Sequence, residues 1–164
     1  MPIIFTVGRI LFVLIFLFSG VTKLMDIPGT AAVIASKFTV PPALAELAAE
    51  AQAATGMPTP QLLTIASGAI EIVAGVMIIF NFGTRLAAFA LILFTAAATY
   101  YMHDFWHQAD PERTQNLIHA LKNLSIIGGL LVFFALGSWR PLSEHEEFYP
   151  RHEEVLREEP MPPH

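Results

Sequence analysis

The chain has 164 residues, 54% of them hydrophobic and 14% charged, with a mean hydropathy of +0.56 and a formal net charge of −5. Soluble domains carry about 25% charged residues, so this composition points to a single-domain integral membrane protein. There is no cysteine, which excludes disulfides, thiol redox chemistry, iron–sulfur ligation and covalent c-type haem attachment.

The charge is uneven. Residues 144–164 hold seven Glu and two Arg, a net of −5, while residues 1–143 hold seven acids and seven bases. The expected organisation is a neutral membrane domain, 1–142, followed by an acidic tail, 143–164. No basic patch suggests a nucleic-acid partner. The expected surroundings are a lipid bilayer.

Ile3 to about Met25 is the first apolar run, long enough to span. It is expected to be retained, because no positive segment precedes it and no small-x-small cleavage site follows. Arg9, Phe16 and Lys23 recur at heptad spacing, with Phe12, Ser19 and Gly20 in the same stripe. Lys23, near the end of the run, is expected to snorkel to the interface. Arg9 lies about 9 Å inside at 1.5 Å per residue, where it can snorkel or face inward.

Asp26-Ile27-Pro28-Gly29 is read as a turn that ends the span. Residues 30–38 are expected to form one or two helical turns. Pro41-Pro42 interrupts them, and residues 43–54 form a short helix too short to span, placed at the interface. The second span is Gln61–Phe80. Glu71 sits near its centre, where a carboxylate costs roughly 2.5–3.5 kcal/mol or more unless it meets a partner. Ser67 and Gly75 lie four residues either side, on the same face, and suit close helix approach.

Asn81-Phe82-Gly83-Thr84 is a tight turn, and Arg85 opens a third span ending near Met102. The alanines between Thr95 and Thr99 are read as a flat packing face, and Tyr100 and Tyr101 as interfacial. His103 and His107 are four apart, a spacing able to bind a metal or haem on a helix. An interfacial aromatic belt is the favoured reading, and no metal is expected. The fourth span runs from about Gln115 to Leu136, with His119, Lys122, Ser125 and Gly129 on one face and Gly128-Gly129 as a packing point. Trp139-Arg140 marks the interface.

Short connections imply an all-α, up-down-up-down bundle of four transmembrane helices. Counting rise from each end, Glu71 is about 15 Å deep, Lys122 about 10 Å, and Arg9 about 6 Å in height from Glu71. Arg9, Glu71 and Lys122 are therefore expected to form one charged layer, with His119, His103 and Asp104 above it. One reading of such a layer is a buried ion network that locks the helices. The other is a polar pocket for protons or a quinone head group, open toward the outer aromatic lid, with Tyr100 among the donors.

Several of these residues together resemble the DoxX family of small four-helix membrane proteins. They are Gly8-Arg9, Phe18-Ser19-Gly20 with Lys23, Asp26-Ile27-Pro28-Gly29-Thr30-Ala31-Ala32, Glu71, Gly83-Thr84-Arg85, His103-Asp104-Phe105-Trp106 and Lys122-Asn123. The resemblance spans about residues 3–142. It implies a bacterial inner-membrane location with cytoplasmic termini. It also implies membership of a redox membrane complex, since the family includes a subunit of thiosulfate:quinone oxidoreductase. Quinone is then the expected cofactor and a redox protein the expected partner, with oligomerisation open. The alternative is a non-catalytic accessory subunit of a respiratory or photosynthetic complex.

Overall fold

The computed structural model describes residues 2–137. The acidic tail expected from residue 143, and the interfacial Trp139-Arg140, lie outside the described residues. Six helices follow in order: α1 (Pro2–Met25), α2 (Ile27–Lys37), α3 (Ala45–Thr55, entered through a 3-10 turn at Pro42–Leu44), α4 (Thr59–Ile79), α5 (Thr84–Met102) and α6 (Glu112–Leu136). Among the described residues there is no strand. Among the described residues four helices, α1, α4, α5 and α6, are long and apolar enough to cross a membrane, and they coincide with the four apolar runs.

The core is small: Val13, Phe16, Ala74, Ile78, Ala87, Ala88, Leu91 and Leu130 are buried together. Large apolar side chains instead cover the outside, among them Ile3, Phe18, Phe80 and Leu86. An apolar surface of that extent would drive aggregation in water and is stable in hydrocarbon.

Helices α1 and α4 run antiparallel and very close. A Cβ on Gly20 would lie 2.7 Å from the Gly68 carbonyl oxygen, and one on Gly75 would lie 2.9 Å from Leu17 Cδ2. The expected contact at Gly75 is therefore present, but Gly68 rather than Ser67 provides the second close point. Helix α4 also packs on α5 and α2, and α5 on α6. Helices α1 and α6 meet at Phe12, whose ring lies 5.0 Å from that of Phe133 and against Gly129. Gly128 faces open space.

Two local expectations are corrected. Asp26-Ile27-Pro28-Gly29 is not a loop: Asp26 caps α2 directly, its Oδ1 accepting from the Gly29 amide at 3.0 Å, with Pro28 in the first helical turn. Proline suits that turn because its missing N–H would be unpaired anyway. The cap lets α2 run 11 residues, longer than the one or two turns expected, and pack against α4 with Ala31 buried. The alanines between Thr95 and Thr99 are not a buried face either, because Ala96 and Ala97 are exposed and within residues 95–99 only Thr95 is buried.

Asp26→Ala is expected to cost about 1 kcal/mol, the usual loss for a cap. Thermal unfolding in detergent would measure it, and faster hydrogen exchange at the Gly29 amide would locate it.

Candidate functional site

The α1 stripe read from heptad spacing does turn inward: Arg9 and Phe16 are each 4% exposed, and Ser19 and Lys23 are partly buried. Helix α4 contributes Glu71, 2% exposed. Because Gly20 and Gly68 bring the two backbones together, side chains flanking them meet without reaching far. Lys23 Nζ donates to Glu71 Oε2 at 2.5 Å and to Ser19 Oγ at 2.9 Å. The same ammonium stands 4.8 Å from the centre of the Phe94 ring on α5, a cation–π distance.

Glu71 is thus paired with Lys23, not with Arg9 or Lys122, and the three-residue charged layer does not form. The reason is axial offset. The middle of α4 faces the C-terminal end of α1, so Lys23 is level with Glu71. Arg9 lies 14 residues earlier, about 21 Å along the helix. There it stacks over Phe5 at 4.4 Å, with Nε and Nη2 buried and unpartnered. Lys122 is exposed on α6. Its neighbour Asn123 turns inward and donates to Thr99 Oγ1 at 2.9 Å.

The ion pair borders a partly open cavity of about 160 Å³ lined by residues of the four long helices. Phe16 and Phe94 form aromatic walls, Ile15 and Ile126 aliphatic ones, and Ser19, Lys23, Glu71, Thr95 and Asn123 supply polar groups. The Thr95 hydroxyl is buried without a hydrogen-bond partner. An unsatisfied buried hydroxyl lowers stability, so Thr95→Val, which keeps the shape, should leave the melting temperature unchanged or higher. A clear drop would mean that the hydroxyl is bonded.

The histidine cluster stands apart from this cavity. Helix α5 ends at Met102, so His103 and His107 do not share a helical face. His103 stacks on His119, ring centroids 5.0 Å apart, and its Nδ1 lies 3.1 Å from Asn116 Oδ1. His107 instead pairs with Asp104 at 2.8 Å. Tyr100 is exposed and packs with Tyr101 and Trp106. Of the residues expected to share a pocket, Arg9, Glu71, His103, Asp104, His119 and Lys122, the cavity takes only Glu71. Ser19 and Lys23 were signalled by the α1 stripe. Thr95 carried no such signal, and Asn123 only its place in the Lys122-Asn123 pair of the family resemblance.

A family model described as DoxX matches residues 4–104, more than half the chain. The chain belongs to the DoxX family. The match covers α1 to α5, and Asn123 and the rest of α6 lie beyond it. This DoxX protein is also similar to "Inner membrane protein YphA" of Escherichia coli (strain K12), 29% identical over 136 residues, which is 83% of this chain and 84% of that one. No solved structure matches it. With four apolar helices and an inner-membrane relative, the DoxX protein described here is a multi-pass membrane protein embedded in a bilayer.

Proposed function

We propose that this protein is a membrane subunit of a quinone-linked redox complex in a bacterial inner membrane, with cytoplasmic termini, and that its cavity takes the quinone head group. The observation that carries this reading is the cavity's chemistry: a charged pair and three further polar side chains against aromatic walls, in the middle of four apolar helices. A quinone ring is flat and apolar on its faces and presents carbonyl acceptors at its edge. The Lys23 ammonium and the Asn123 amide are donors of the required kind. A cavity of about 160 Å³ is close to the roughly 150 Å³ that holds a benzene ring in an apolar protein core.

Reduction of the ring to a quinol takes two electrons and two protons. The electrons come from a partner dehydrogenase. Glu71 is the proton-carrying group of the site, consistent with the usual role of an intramembrane acid.

The test is calorimetric titration of the nanodisc-embedded protein with a benzoquinone bearing a short alkyl chain. The parent should bind saturably, and Asn123→Leu should weaken binding about tenfold, the worth of one hydrogen bond. Absence of saturable binding by the parent would overturn the proposal. The Lys23–Glu71 pair would then be a lock between α1 and α4 in an accessory subunit.

A further inference from the structure

Three of the four seams between neighbouring long helices are not alike with the last. Helices α1 and α4, α4 and α5, and α5 and α6 pack along their contacts. Helices α1 and α6 are joined through Phe12, against Phe133 and Gly129. About one to two turns from that latch, toward Lys23, the facing residues Ile15 and Ser19 on α1 and Asn123 and Ile126 on α6 line the cavity itself. Ile15 is 55% exposed, and the Lys23 side chain keeps 21% exposure despite its pairing.

The end of the bundle above the cavity is bridged. Asn123 bonds Thr99 across α5 and α6. Phe38 packs edge-on to Tyr101 at 4.8 Å, tying the chain after α2 to α5. His103 stacks on His119 between the α5 terminus and α6. The sequence suggested an opening through this aromatic end, but these contacts span it.

We infer that the cavity opens sideways, through the α1–α6 seam into the acyl-chain layer, and that its ligand is a lipid-borne molecule with a small polar ring and a long apolar tail. The identity of the ring rests on the proposed function; the sideways opening does not. The head sits beside Lys23 and Glu71, while the tail leaves between Ile15 and Ile126, both of which offer only hydrocarbon. A water-soluble ligand would have to cross the bridged end. A tailed ligand is already concentrated in the layer onto which the seam faces.

Two measurements in nanodiscs test this. The first places a fluorescent reporter in the cavity wall, Phe94→Trp, with Trp106→Phe and Trp139→Phe removing the natural tryptophans. Phe16→Trp is a second reporter on the opposite wall should the first not fold. Quenching by lipids with brominated acyl chains, and none by aqueous iodide, is expected. Quenching by iodide and not by brominated lipid would overturn the sideways opening, whatever the ligand.

The second measurement follows uptake of a quinone with a long isoprenoid tail. Ile126→Trp, which narrows the seam, should slow association roughly tenfold, as when binding waits on a conformational change. A tail-free benzoquinone bound by the parent serves as the head-group control. Equal association rates for Ile126→Trp and the parent would overturn the tail's path. A parent that shows brominated-lipid quenching but binds neither quinone would overturn the quinone reading alone, and the seam would stand as the port for another lipid-borne molecule.

Discussion

Lys23→Met is expected to lower stability by about 3–5 kcal/mol, the cost of removing one partner from a buried ion pair. It strands Glu71, whose side chain is 3% exposed and sits mid-helix, too short to reach either helix end. Glu71→Gln is expected to cost less. Lys23 is two residues from the end of α1 and partly exposed, so its ammonium can swing outward along a flexible stem. Combining Lys23→Met with Glu71→Gln should recover part of the loss, because no charge is then left buried. Adding Lys122→Met or Arg9→Met to Glu71→Gln should recover nothing. Unfolding in mixed micelles would rank the variants. Rescue by Lys122→Met or Arg9→Met, or a parent-like Lys23→Met, would show that Glu71 has another partner.

Gly20→Ala is expected to cost about 1–3 kcal/mol, the range for overpacking a tight contact, and to fall in its upper half. The new methyl would meet the Gly68 carbonyl oxygen at 2.7 Å and Ile72 Cγ1 at 2.8 Å. One of these is backbone, which cannot rotate away, so α1 and α4 must separate. That separation pulls Lys23 from Glu71, and the penalties of Gly20→Ala and Lys23→Met should therefore be less than additive. Gly8→Ala and Gly128→Ala are the controls. Neither position has a neighbour within 4 Å of an added Cβ, so each should be neutral or gain about 0.5–1 kcal/mol from better helix propensity. A harmless Gly20→Ala would mean that the two helices stand further apart than described here.

The spans were legible because length and hydropathy are properties of a segment alone. The inward face of α1 was legible for a related reason: Arg9, Phe16 and Lys23 at heptad spacing fix an angle around the helix axis. The partner of Glu71 was not legible, because periodicity says nothing about how far one helix slides along another. Counting depth from the span ends put Arg9 within about 6 Å of Glu71 in height, whereas the close approach at Gly20 and Gly68 sets a register that brings Lys23 to it. On α6 the error was one residue. A step of about 100° separates Lys122 from Asn123, and charge favoured the lysine as the inward group although the amide takes that place. Helix α6 has 25 residues, about 37 Å, against a hydrocarbon core of about 30 Å. Its polar first turns can therefore stand outside the core, with the Lys122 stem long enough to reach the surface. The α2 helix was missed because Asp26-Ile27-Pro28-Gly29 carries turn and cap signals at once. Gly29 decides for the cap, since a Cβ there would collide with the Asp26 carboxylate.

The 48 residues separating Lys23 from Glu71 also set an order of events during synthesis. Helix α1 emerges first, and its lysine, close to a helix end, can rest among headgroups while it waits. Helix α4 emerges with its acid mid-helix and has no such refuge. The dependence therefore runs one way: α1 can settle in the bilayer without α4, whereas α4 enters as a guest of a helix already in place.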